Sequence, residues 1–153
     1  MLEVSRENII DDTLNQLVYN EQDLKKPLKV HFIGEEGVDE GGVQKEFFQL
    51  IIKQLFDPAF SMFNYDEEFN YYWINPNTIE TSQNFELVGM LLGLAMYNSV
   101  ILDVHFPMAL YKKLVDHPVN IEDLKAMNPT TYEAMQTLLN FEGNVEETYC
   151  RTF

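Results

Sequence analysis

Residues 43–56, VQKEFFQLIIKQLF, carry two apolar stripes at helical spacing. Val43, Phe47, Leu50, Ile51 and Leu55 form the first, and Phe48, Ile52 and Phe56 form the second. A helix of about four turns with this pattern has to be covered on two sides, so it predicts a central helix with other elements packed around it. Asp57-Pro58 ends it, because the residue before a proline is pushed out of helical geometry.

In front of this helix stands GEEGVDEGG, residues 34–42, with four carboxylates and four glycines. A phosphate loop needs a Lys and a hydroxyl after its glycines to meet phosphate and magnesium; here Glu35, Glu36, Asp39 and Glu40 would repel the ligand. An EF-hand needs oxygen ligands at alternating positions, whereas Gly41 and Val43 occupy two of them. A catalytic acid pair needs burial to lift one pKa, and clustered loop acids are ordinarily solvated. The local chemistry instead predicts a helix cap and a turn. Asp39 or Glu40 accepts the orphan N–H bonds at the helix start, and Gly37, Gly41 and Gly42 supply backbone freedom.

The rest of the chain predicts an α+β fold, mostly helical, with a few short strands. Residues 5–19 read as a helix capped by Ser5, with Ile10, Leu14, Leu17 and Val18 inward. Leu28, Val30 and Phe32 alternate with Lys29 and His31, as in a half-buried strand. Residues 62–75 read as a hairpin, two aromatic runs about an acidic turn, and Asn75-Pro-Asn-Thr as a second turn. Residues 85–97 are apolar nearly all round, and Gly89 and Gly93 predict a close helix contact. Residues 100–106 read as a short extended segment. Pro107 opens a helix at its first position, and Asn120 with Asp123 forms a variant capping box before residues 121–127. Residues 129–141 read as a helix, and EGNVEETYCRTF as the start of a new strand that Phe153 interrupts. No repeat, low-complexity segment or linker is visible.

At 153 residues this is one domain or part of one, and 11 Phe, 8 Tyr and 1 Trp argue against disorder. A net charge of −15 disfavours nucleic acid and anionic membrane; a basic protein surface is its natural counterpart, and acidity also simply keeps a domain soluble. The one cysteine, Cys150, excludes an internal disulfide and a Cys-rich zinc site, which fits a cytoplasmic or nuclear setting. The opening MLEVSRENIIDD lacks the pattern of a signal peptide, and no apolar run approaches membrane-spanning length. His31, His105 and His117 are scattered, and Cys150 has no neighbouring His in sequence. The aromatics of residues 62–75 could stack bases only beside a basic groove, and Asp66, Glu67 and Glu68 stand there instead.

Several spaced motifs together carry a resemblance. LKKPLKVHFIGEEGVDEGGVQKEFF closely resembles the opening of the HECT-type E3 ubiquitin-protein ligase domain. The loop pattern F-x-G-E-x-G-x-D-x-G-G appears here as Phe32, Gly34, Glu35, Gly37, Asp39, Gly41 and Gly42. MFNYDEEFNYYWINPNT, FELVGMLLGLAMYNSVILDVHFPMALYKKL and LLNFEGNVEET follow in the family's order, so the likeness covers nearly the whole chain. It looks nearest to the E6-associated-protein and HERC-like members. The resemblance implies a ligase that takes ubiquitin from an E2 enzyme onto its own cysteine as a thioester and passes it to a substrate lysine. It implies ubiquitin, an E2 and protein substrates as partners, and neither metal nor other cofactor. Residues 1–153 would be the larger subdomain of the family's N-terminal lobe, with the E2-docking subdomain and the catalytic C-terminal lobe outside it. Cys150, in TYCRTF, does not match the family's T-C-F nucleophile context, so the resemblance assigns no catalytic residue here. The glycine-rich acidic loop is then a signature of architecture. A segment of a complete ligase is the first expectation, and a short non-catalytic binding or regulatory module is the alternative. A hydrolase using the clustered acids is a remote third.

Overall fold

The computed structural model describes residues 1–18, 24–36 and 41–150. They contain β1 (Leu2–Val4), α1 (Ile9–Leu17), β2 (Val30–Phe32), α2 (Gly42–Leu55), a 3-10 turn at Pro58–Phe60, β3 (Phe63–Asp66) and β4 (Tyr71–Ile74). The helices α3 (Ser82–Tyr97), α4 (Met108–Leu114), α5 (Ile121–Met127), α6 (Pro129–Leu139) and α7 (Val145–Tyr149) follow. The fold is the mostly helical α+β arrangement that the pattern predicts. Among the described residues no helix is long and apolar enough to cross a membrane. The chain divides into two compact units, Met1–Asn64 with Ile74–Val104, and Tyr65–Trp73 with His105–Phe153.

The first unit is built on α2. Phe47, Phe48, Ile51 and Leu55 are wholly buried, and Ile52 and Phe56 are nearly so, which is the two-sided coverage the stripes demand. Helices α1 and α3 pack against α2 and against each other, and β2 also packs against α2. Phe56 stacks on Phe63 with centroids 4.4 Å apart, and the edge of Phe63 meets Phe85. Asp57 caps the 3-10 turn through the Ala59 N–H.

Two features here differ from the pattern reading. First, residues 2–4 form a strand, parallel to β2 in the register Leu2↔Val30, Glu3↔His31 and Val4↔Phe32. Its outer edge is closed by a side chain: the Gln16 amide accepts from Glu3 N–H and donates to Glu3 C=O, as a neighbouring strand would. Helix α1 therefore begins at Ile9, with Asn8 rather than Ser5 at its N-cap. Ser5 lies in the preceding turn, where its N–H (2.8 Å) and hydroxyl (2.7 Å) both donate to the Asp12 carboxylate. The fully buried face is Ile9, Thr13 and Leu17, with Ile10, Leu14 and Val18 half-buried beside it. Thr13 is tolerated inside because its hydroxyl donates to the Ile9 carbonyl (2.6 Å). Second, Gly89 and Gly93 lie on the exposed side of α3, and a Cβ at either would meet nothing within 4 Å. The close contact predicted for them is not made; α3 buries Leu87, Val88, Leu91, Leu94 and Ala95 on its other side.

The second unit contains the tip of the predicted hairpin and α4–α7. One Asp66 carboxylate oxygen accepts from both Glu68 and Phe69 N–H (3.0 Å each), and Asn70 takes the left-handed conformation that completes the turn. Residues 100–106 carry no strand. Pro107 stands at the N-cap of α4, one place earlier than predicted. The Asn120 capping box is present: Asn120 accepts from Glu122 N–H, and Asp123 accepts from Asn120 N–H, both at 3.0 Å. The other Asp123 oxygen receives Lys112, so one carboxylate both caps α5 and ties it to α4. These bonds, that from Lys112 foremost, hold the Asp123 carboxyl below its usual range. Asn128 caps α6, with Pro129 at the first helical position. Where a strand was predicted, residues 145–149 form α7. Asn144 caps it and Glu146 and Glu147 occupy its first turn, a local helix signal that outweighs the β-branched and aromatic residues around it.

Candidate functional site

The signature loop joins the buried end of β2 to the central helix. Gly34 (φ 87°) turns the chain out of the strand, and Glu35 N–H closes the turn on the Phe32 carbonyl (3.1 Å). Gly41 (φ 91°) is the N-cap of α2. Both positions need the left-handed region that glycine enters without strain. Gly42 is the first residue of α2 and faces open space. Gly37, Asp39 and Glu40 lie outside the described residues, and with them the predicted carboxylate cap. The N-cap position itself is Gly41, which has no side chain to accept a bond.

Glu35 does not stand free. The Arg6 guanidinium donates from Nε and Nη2 to its two carboxylate oxygens, and from Nη1 to Glu46 on α2 (2.7 Å). The same guanidinium lies over the Phe32 ring, 4.3 Å from its centroid. One arginine thus fastens both flanks of the loop, the β2 end through Glu35 and the helix through Glu46. A planar fork suits this, since it can grip one carboxylate bidentately and still reach a second. Its hydrogen bonds push the Glu35 carboxyl below the usual range, with His31 adding a smaller attraction. The clasp is complete above the ordinary carboxylate range and is lost only as pH falls through the depressed Glu35 value.

These groups make a structural clasp in solvent, in which the Glu35 and Glu46 carboxylates share one cation. Among the described residues no three His, Cys, Asp or Glu side chains gather as a metal site. His31 is half-buried on β2, and His105 and His117 are exposed. Cys150 is exposed at the C-terminal end of α7, in a left-handed conformation, with its thiol near the Glu147 carbonyl (3.6 Å). The segment read as the start of a new strand is helical next to it, so Cys150 caps a helix instead. Sequence reading missed Arg6, whose partners lie 29 and 40 residues away.

Arg6→Lys and Arg6→Ala are both expected to speed cleavage at Glu35–Glu36 by a glutamate-specific protease, while the unfolding temperature moves little because the pairs are exposed. Unchanged cleavage in both variants would show that Arg6 does not hold the loop.

The family model described as "HECT-domain (ubiquitin-transferase)" matches residues 49–153. The "Probable E3 ubiquitin-protein ligase HERC3" of Homo sapiens is 46% identical over 155 residues, covering 100% of this chain and 15% of that protein. The "Probable E3 ubiquitin-protein ligase HERC4" of Mus musculus is 47% identical with the same coverage. The "Probable E3 ubiquitin-protein ligase HECTD2" of Mus musculus is 40% identical over 166 residues, covering 99% of this chain and 21% of that protein. The chain therefore spans about a fifth or less of the length of these relatives. Two independent comparisons, one of a domain pattern and one of whole sequences, agree over residues 49–153, from the middle of the central helix onward: the chain belongs to the HECT-type E3 ubiquitin-protein ligase family.

Proposed function

We propose that this chain is a segment of a ligase that accepts ubiquitin from an E2 as a cysteine thioester and hands it to a substrate lysine. In the first step the ligase thiolate attacks the E2 thioester carbonyl, a new thioester forms and the E2 thiolate leaves. In the second the lysine amine attacks, an isopeptide bond forms, the ligase thiolate leaves and the amine loses a proton. Both steps are acyl transfers and call for no metal or cofactor. Residues 1–153 serve as the larger subdomain of the N-terminal lobe, and the nucleophile, the E2-docking surface and the substrate contacts belong to the rest of the polypeptide. The observation that carries this division of labour is the position of Cys150. It is exposed at the C-terminal end of a five-residue helix, whereas activated thiolates gather at helix N-termini. The single cysteine favours a cytoplasmic or nuclear location.

The test supplies E1, E2 and ubiquitin to the 153-residue chain and, separately, to the longer protein that contains it. A reductant-sensitive ubiquitin adduct is expected on the longer protein alone. An adduct on the short chain that disappears in Cys150→Ser would overturn the assignment, and no adduct on the longer protein would overturn the proposed chemistry.

A further inference from the structure

A cavity of about 270 Å³ lies in the first unit, between β1, the C-terminal end of α1, the strap of residues 24–29 that leads into β2, and α3. Leu2, Leu17 and Leu94 are buried at its floor, and Leu24 and Leu28 line it from the strap. The exposed Lys26 and Lys29 line it as well. Every lining residue belongs to the first unit, so the cavity is complete within one compact body. Its wall is fixed before any ligand arrives. Leu28 is held by Asn98 and Gln44, the Lys25 carbonyl by the Tyr97 hydroxyl, and the Lys29 carbonyl by the Leu2 N–H (2.7 Å). A preformed wall spares a ligand the cost of ordering it. Small-molecule sites commonly run from about 300 to 1,000 Å³, so this one is sized for a single large side chain rather than for a cofactor. Its charge runs against that of the chain. Acids outnumber Lys and Arg by 25 to 10 overall, yet the lining holds two lysines and no carboxylate among the described residues.

We propose that this cavity is a docking site for an acidic peptide segment of a partner protein, which sets one large apolar side chain into the cavity and its flanking carboxylates on Lys26 and Lys29. An aromatic ring suits the leucine floor, since it buries much apolar surface with few rotatable bonds. The lysines select the sign of what flanks the ring. An ammonium carries three N–H donors, so a lysine that already serves one partner takes a further carboxylate. The chain's net charge of −15 repels an acidic peptide from afar, but at physiological salt that repulsion is screened beyond about 8 Å, whereas the lysines act at contact. The site calls on no residue of the transfer chemistry and goes beyond it: it gives the ligase a place to hold a protein.

The probe is an acetylated and amidated five-residue peptide, serine–aspartate–phenylalanine–aspartate–serine, carrying a fluorophore, and its binding to the longer protein that contains this chain is read by anisotropy. Saturable binding below about 1 mM is expected. Alanine in place of the phenylalanine should weaken it at least about tenfold, and lysines in place of the aspartates should weaken it too. Lys29→Glu should weaken it about five- to tenfold, while Lys53→Glu, the same change of charge at an exposed position of α2 outside the cavity, should leave it within about twofold. Lys29 is exposed and holds Leu2 through its backbone, so the substitution spares the fold. A benzophenone in place of the phenylalanine ring should cross-link to peptides carrying residues 1–4, 24–29 or 94, as mass spectrometry can show. No saturable binding, equal binding of the lysine peptide, equal losses for Lys29→Glu and Lys53→Glu, or cross-links elsewhere would each overturn the proposal. Binding by the 153-residue chain with none by the longer protein would mean that the polypeptide itself fills the cavity, and would overturn it as well.

Discussion

Phe48→Ala is expected to destabilise the chain by about 3–5 kcal/mol, a large part of the roughly 5–15 kcal/mol that holds a domain together. Phe48 is wholly buried and meets the edge of Phe47, centroids 5.3 Å apart. It belongs to the second stripe of α2, so its loss removes apolar surface and leaves a cavity on a side of the helix that a surface helix would not have. Denaturant unfolding measures the effect. Phe48→Leu should lose clearly less, because most of the buried surface is kept, and Gln49→Ala, at an exposed position of the same turn, should change little. Equal effects for Phe48→Ala and Gln49→Ala would mean that α2 is covered on one side only.

That prediction could be made from the sequence, because helix periodicity is a local signal repeated over several turns. The hairpin and the Asn120–Asp123 box were legible for the same reason: each is written within a few residues. What escaped was set at a distance. Strand β1 is three residues long, too short to show alternation, and its identity depends on β2 nearly thirty residues later. The register of α1 was misread because the buried face includes Thr13, a polar residue made acceptable by its own bond to Ile9. Gly89 and Gly93 could permit a close contact, but permission in the sequence does not supply a neighbour, and their side of α3 is open. In α7 the cap at Asn144 was present in the sequence and was outweighed by strand-favouring residues. The signature loop was legible as a loop, and Gly34 and Gly41 turn out to occupy positions that only glycine enters freely. Its clasp was not, because an arginine in an acidic chain has many possible partners and only the fold selects Glu35 and Glu46.

Asn98→Ala is expected to cost about 1–3 kcal/mol, more than an exposed hydrogen bond would, because it strands partners that are partly buried. Asn98 follows the last turn of α3. Its Nδ2 donates to the Leu94 carbonyl (2.8 Å), and its Oδ1 accepts from Leu28 N–H (2.8 Å) and from Gln44 Nε2 (3.3 Å). Gln44 Nε2 also donates to the Leu28 carbonyl (2.9 Å), and the Tyr97 hydroxyl donates to the Lys25 carbonyl (2.8 Å). The segment that leads into β2 is therefore held by the end of α3 on one side and the start of α2 on the other. Alanine leaves the Leu28 N–H without its acceptor. Asn98→Asp keeps that acceptor but sets a carboxylate oxygen against the Leu94 carbonyl, so an intermediate loss is expected. Because Asn98 and Gln44 share Leu28, the double variant with Gln44→Ala should lose less than the sum of the two single losses, whereas independent sites would add. The disturbance should also reach the signature loop, since β2 begins two residues after Leu28 and ends at Phe32, under Arg6. Faster amide exchange at Glu35 in Asn98→Ala is the expected sign, and additive losses with unchanged exchange there would show that the three elements are held separately.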